Sequence, residues 1–244
     1  MSRYLYISDV YCPWCYAFGR ILDELLAEHP LPVRVLAGEL VEEPQTIDDM
    51  VREMPSITAF FKRLADTTGR GVGQPYLDLL EPGKGTITMD SKAMSVPLAA
   101  LRALAPGRER EQLEALQKAF YVDGLDVLDP YVQATACSVD EESLILVSSQ
   151  ADIQEQAERD REEALDVLGD FVIYPTLFLE KDNGKGGTER HLLARGYTAP
   201  ETVRARLEEA LADKTDQADL AGSKKEQEAG QTGHACGPDG CCIL

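Results

Sequence analysis

Cys12-Pro13-Trp14-Cys15 sets two thiols three positions apart. The pair lies between an apolar stretch, Tyr4-Leu5-Tyr6-Ile7, and a helix-like stretch through Ala17-Phe18, Ile21-Leu22 and Leu25-Leu26. That arrangement suits reversible disulfide chemistry. The first sulfur falls at a helix N-terminus, where unpaired N–H groups and the helix dipole stabilise a thiolate. The thiolate is the nucleophile of disulfide exchange. The second Cys lies one turn on and can resolve a mixed disulfide. Pro13 suits the first turn, where a missing N–H loses nothing, and Trp14 offers an apolar face to a substrate. The spacing therefore predicts a partly exposed Cys12 with a lowered pKa and a more buried Cys15. The plainer readings are a chance pair or half of a zinc site. No second CxxC is present to complete a four-cysteine site, and a CxxC beside a βα unit is a redox signal.

The elements that must position the pair read as β-α-β at the start. Arg3 to Ser8 is a strand, Tyr16 to about Glu28 an amphipathic helix broken at His29-Pro30-Leu31-Pro32, and Val33 to Leu36 a second strand. From about Leu40 to Gly169 the pattern is mostly helical. Ile47 to Thr67 carries apolar residues at helical spacing, with an interruption at Pro55. Ser91 to Ala105, Arg110 to Tyr121 and Glu141 to Ser149 follow. Asp152 to Leu168 sets charges on one face and Ile153, Ala157, Ala164, Leu165 and Leu168 on the other. Gly69 to Gly85 reads as a loop. Its Gly69-Arg70-Gly71-Val72-Gly73 lacks both the P-loop ending and the full dinucleotide fingerprint. Strand character returns at Pro175 to Glu180 and, after a Gly/Asn turn, at His191 to Ala194, a hairpin followed by a helix from Pro200 to Leu211.

A chain of 244 residues with 44% hydrophobic content can bury a sizeable core. No apolar run approaches the ~18 residues of a membrane span, Met1-Ser2-Arg3 leads directly into a short strand, and Cys12-Pro13-Trp14-Cys15 falls where a secretory signal would have its apolar core. The expectation is a cytoplasmic protein with no membrane partner, whose paired cysteines are catalytic or metal-binding. The net charge of -19 argues against a nucleic-acid partner and reads as a well-solvated surface suited to high salt. No oligomeric state follows from the sequence.

The order β-α-β, helical insertion, β-β-α, with CxxC after the first strand, resembles the α/β thioredoxin fold in its DsbA-like form. The resemblance covers about residues 1 to 212 and rests on Cys12-Pro13-Trp14-Cys15 and on Tyr174-Pro175-Thr176 before the hairpin. More narrowly, the chain is similar to the cytoplasmic FrnE-like, protein-disulfide isomerase branch. The implied organisation is a thioredoxin-like domain of residues 1–39 and 170–212, a helical insertion domain of residues 40–169, and a flexible linker with a Cys-rich tail, residues 213–244. The resemblance implies a thiol-disulfide oxidoreductase or isomerase acting on protein or small-molecule thiols and disulfides. Cys12 would be the nucleophile and Cys15 the resolving thiol, with no cofactor required and glutathione as a candidate co-substrate. It makes Pro175 a cis-proline facing the CxxC, and Pro13, Trp14, Tyr174, Pro175 and Thr176 substrate-binding candidates. The ordinary alternative for Pro175 is a trans proline opening an edge strand. With no His between the cysteines, the couple should be less oxidising than that of periplasmic DsbA.

One departure stands out. Thioredoxins carry a buried carboxylate six residues before the nucleophile, where this chain has Tyr6. Asp9 and Glu39, near the ends of the first two strands, are candidates to substitute, against the plainer reading of solvated loop carboxylates. Cys137 reads as a small buried hydrophobe, and His29 and His191 as incidental. In the tail, Cys236-x4-Cys241 beside Cys242 is a candidate second redox pair, carried by a linker whose ~20 residues reach roughly 25 Å. Alternatively His234, Cys236, Cys241 and Cys242 supply four ligands for Zn(II) or Cu(I). Cys241-Cys242-Ile243-Leu244 also matches a prenylation pattern, with Cys242 a poor aliphatic, and the segment could equally have no defined role. A glutathione-dependent isomerase or transferase of the same superfamily is the competing enzyme class. Such enzymes use Ser at the Cys12 position and do not need Cys15. A soft-metal-binding protein is the non-enzymatic alternative.

Overall fold

The structure, a computed structural model, describes residues 2–183 and 187–212. Four strands form the central sheet: β1 (Ser2–Ser8), β2 (Val33–Ala37), β5 (Thr176–Asp182) and β6 (Thr188–Arg195), in the order β2-β1-β5-β6. β1 and β2 run parallel, as a strand-helix-strand crossover dictates. β5 pairs antiparallel with both β1 and β6. The register sets Ile7 opposite Thr176, so the end of β1 that leads to Cys12 meets the start of β5.

β1 is buried on both faces, and its side chains divide between two cores. Tyr4 and Tyr6 join the larger cluster. That cluster takes Phe18, Ile21, Leu22 and Leu25 from α1 (Pro13–Glu28) and Val203 and Leu207 from α10 (Pro200–Ala212). Leu5 and Ile7 join the smaller one, with Leu36 of β2, Phe178 of β5, and Ala164 and Leu168 of α9 (Ala151–Leu168). Helices thus cover both faces of the sheet. α1 begins with Pro13 at its first position and stops at His29, ahead of Pro30.

Residues between β2 and β5 build the rest of the large core. α2 (Ile47–Glu53) starts with a capping box formed by Thr46 and Asp49. α3 (Ile57–Thr68) ends on Gly69, whose φ of 68° suits glycine. α5 (Ser91–Leu104) and α6 (Glu109–Tyr121) follow the sequence periodicity closely, as do α8 (Glu141–Ser148) and α9.

Some elements differ from the sequence reading. The stretch Gly69 to Gly85 is not all loop, because Gln74–Leu79 forms α4 with Pro75 in its first turn. α7 (Pro130–Cys137) is a further helix, which Asp129 caps through Tyr131 N and Pro130 opens. Gln45–Thr46 (β3) and Thr88–Met89 (β4) make a two-stranded pair too short to carry a period. On α9, Leu165 is 40% exposed and lies off the buried stripe. No helix among the described residues is long and apolar enough to cross a membrane.

Candidate active site

Cys12 is the N-cap of α1, in an extended conformation, and its Sγ accepts the Cys15 amide N–H at 3.3 Å. This is the contact a helix N-terminus offers an anion. The Cys12 thiol lies 3.9 Å from the Tyr174 carbonyl oxygen, to which it donates. The Tyr174–Pro175 peptide bond is cis. The CxxC and the residues before β5, far apart in sequence, therefore meet at the sulfur. Both cysteines are free thiols.

The expectation of a partly exposed Cys12 with a lowered pKa is corrected. Cys12 is 2% exposed and packs in the small core with Ile7, Leu36, Tyr174 and Cys15. Burial is the largest influence and pushes its thiol well above the ordinary value. The Cys15 side chain and the Asp9 charge add to the rise, while the Cys15 N–H opposes it. Sequence rules see the helix terminus but not the segment from β2 and the residues before β5 that close over it. Cys15 is fully buried.

The other predicted residues divide by exposure. Trp14 is half-buried, its ring edge-on to Phe60 of α3 at 5.9 Å and tilted against Tyr197 at 5.7 Å. The helical insertion and the segment before α10 thus frame the one partly exposed side chain of the CPWC. Pro13, Tyr174 and Pro175 are buried. Thr176 is fully buried, and its hydroxyl donates to the Ile173 carbonyl at 2.7 Å, so that side chain serves the loop before β5. Phe171 and Val172, just upstream, are exposed apolar residues that belong to no motif.

Tyr6 fills the position six residues before Cys12 and does so as a hydrogen-bond donor. It is fully buried, and its hydroxyl donates to the Cys15 carbonyl at 3.3 Å. Asp9 corrects the reading of a solvated loop carboxylate. It is 2% exposed, and burial pushes its pKa up to about 6 despite hydrogen bonds from Leu40 N, Ser91 and Tyr11 N. Glu39 is partly buried and pairs with Arg161 of α9. Cys137 is buried, donates to the Gln112 carbonyl at 3.7 Å, and is pushed up to about 12 by burial. His191 lies 3.3 Å from Glu189 and far along the hairpin from the cysteines. Among the described residues no group of three or more His, Cys, Asp or Glu is placed to hold a metal. His234, Cys236, Cys241 and Cys242, the candidate redox or metal segment, lie outside the described residues.

No family model matches the sequence, and no curated protein matches it. Solved structures do share the fold. A candidate protein disulfide isomerase from Nitrosomonas europaea aligns with TM-score 0.71 at 19% identity, over 87% of this chain and 98% of that one. The cytosolic disulfide reductase DsbM from Pseudomonas aeruginosa aligns with TM-score 0.65 at 24% identity, over 86% and 98%. A candidate DsbA oxidoreductase from Streptomyces coelicolor aligns with TM-score 0.60 at 20% identity, over the whole of both chains. The chain has the α/β thioredoxin fold in its DsbA-like form. Within that class it is a variant with a large helical insertion between β2 and β5 and a CPWC at the start of α1.

Proposed function

We propose that the protein is a thiol-disulfide oxidoreductase whose working pair is Cys12 and Cys15. The observation that carries this reading is the convergence on one sulfur of the Cys15 N–H, 3.3 Å away, and the Tyr174 carbonyl, 3.9 Å away. In the reducing direction the Cys12 thiolate attacks one sulfur of a substrate disulfide. The substrate S–S bond breaks, a Cys12–substrate bond forms, and the departing sulfur takes up a proton. Cys15, once deprotonated, attacks the Cys12 sulfur. The Cys12–Cys15 bond forms and the second substrate thiol leaves, so the pair loses two electrons and the substrate gains two. Two equivalents of a small thiol of the glutathione class restore the dithiol. The DsbM structure was also solved with glutathione, which supports that choice of co-substrate. Neighbours described as a disulfide isomerase and a cytosolic disulfide reductase support the same chemistry in a reducing compartment.

The residues around the pair supply position. The Cys15 N–H holds the sulfur at the helix terminus, and Tyr6 fixes the Cys15 carbonyl. Trp14, with Phe60 and Tyr197, forms an apolar wall beside it. A glutathione isomerase or transferase would have no use for the Cys15 thiol. The test is Cys15→Ser incubated with a peptide disulfide and followed by intact mass. A stable mixed disulfide on Cys12 is expected, while Cys12→Ser captures nothing. Full disulfide reduction by Cys15→Ser without a trapped intermediate would refute the assignment.

A further inference from the structure

Asp9 lies three residues before Cys12 and is buried, yet the exchange steps above do not use it. Its two carboxylate oxygens reach in different directions. Oδ1 accepts the Tyr11 N–H at 2.8 Å, inside the loop that presents Cys12. Oδ2 accepts the Leu40 N–H at 3.0 Å, in the segment after β2. That segment is bound in turn to Tyr174, because the Glu39 N–H donates to the Tyr174 hydroxyl at 3.0 Å. Gly38 lies flat beneath the ring, and a Cβ there would stand 2.7 Å from Tyr174 Cε1. The Tyr174 carbonyl closes the ring of contacts at the Cys12 thiol. The sulfur and its carbonyl partner are thus linked by a second path, which runs Asp9, Leu40, Glu39, Tyr174.

The loop is also held from behind. The Asp9 carbonyl accepts the Gln117 side-chain amide at 3.2 Å and the Cys12 N–H at 3.3 Å. These backbone contacts survive a change in the side chain, so the carboxylate's bonds to Tyr11 N, Leu40 N and the Ser91 hydroxyl can be removed separately from them.

We propose that Asp9 is a positioning residue for the cysteine pair: its carboxylate ties the Cys12 loop to the segment that seats Tyr174, and thereby fixes the spacing between the attacking sulfur and the Tyr174 carbonyl. The proposal rests on the oxidoreductase reading, which it deepens. The titratable groups around the carboxylate are Tyr11 and Cys12 of its own loop, Glu39 after β2, Tyr121 of α6 and Tyr174 before β5, with the Ser91 hydroxyl from α5. Its negative charge raises the Cys12 pKa, so ionisation of Asp9 makes the thiol harder to deprotonate.

The test compares the full chain with Asp9→Asn, Tyr174→Phe and the double variant. Asn can accept only one of the two N–H groups through its single carbonyl oxygen, leaving a buried donor unpaired, and the rate per thiolate (kcat for a peptide disulfide divided by the thiolate fraction from the alkylation profile below) should fall about tenfold. Tyr174→Phe frees the Glu39 N–H and should also lower kcat. Because both break one path, the double variant should be no slower than the slower single variant. The second readout is Cys12 alkylation by iodoacetamide against pH. In the wild type the log rate should climb less steeply through about pH 6, where Asp9 ionises. Asp9→Asn should lose that inflection and shift to lower pH, whereas Tyr174→Phe should keep it. Additive losses, or an Asp9→Asn protein with the wild-type rate per thiolate, would overturn the proposal. If Asp9→Asn does not fold, Tyr174→Phe decides, and an unchanged kcat refutes the path. A wild type inert toward disulfides would sink the oxidoreductase reading, while the alkylation profile still reports Asp9 acting on Cys12.

Discussion

A sulfur attacks only as a thiolate, and Cys12 is placed where two influences conflict. The helix terminus supplies the Cys15 N–H, which favours the anion. Burial, the Cys15 side chain and Asp9 disfavour it, and together they hold the thiol well above its ordinary range. The sign of the consequence is fixed. At neutral pH the folded protein carries Cys12 as a thiol, and the thiolate fraction grows as pH rises past the ordinary thiol value. Alkylation of Cys12, followed by mass spectrometry, should therefore be slower at pH 7 than that of a free thiol and should still be accelerating above pH 9. A plateau reached below pH 7 would contradict this. The sequence could name the two thiols because their spacing is local. It could not give their state, which depends on Leu36, Tyr174 and the Gly38–Leu40 segment closing over them.

At the scale of elements, the CPWC is useful only if β1 ends where β5 begins, and the register of those strands is pinned at the far end. Glu180 of β5 is 2% exposed and accepts Arg3 Nε of β1 and Arg190 Nε of β6, each at 2.7 Å. Burial pushes the Glu180 carboxyl up, but Arg190 and Arg3 outweigh it and hold it below the usual range. Such a depressed group stabilises the fold above the ordinary carboxylate pKa, and the contribution is lost as pH falls through the lower folded value. Both arginines are partly exposed, which screens the pairs. Glu180→Gln should then cost about 1–2 kcal/mol in urea unfolding at pH 7, with the difference from wild type shrinking in acid. Equal stability at pH 7 would show that the clamp contributes nothing. The strands and long helices were legible from their period, as at Ser91 to Ala105 and Asp152 to Leu168. What stayed hidden was short or non-local. α4, of six residues, has too few turns for a period. The Asp9 path joins residues 31 and 135 positions apart that no window contains.

Across the whole molecule, the insertion and the thioredoxin-like elements share one large core, since Phe61, Tyr76 and Phe120 pack in the same cluster as Tyr6 and Phe18. The insertion therefore shapes the site directly, through Phe60 on Trp14. The proposed redox character follows from the same packing. A dithiol whose proposed nucleophile gains little as a thiolate lacks the stabilised reduced form that makes DsbA a strong oxidant. The most direct measurement is the reduction potential of the Cys12–Cys15 couple against glutathione. It would be made in the full chain and in a variant with Cys236, Cys241 and Cys242 all changed to Ser. A reversible two-electron couple at about -270 mV or lower, the thioredoxin end of the range, present in both proteins, is the predicted result. A potential near -120 mV, the value of about that size characteristic of DsbA, would contradict the assigned state of Cys12, and no reversible couple in either protein would contradict the function itself.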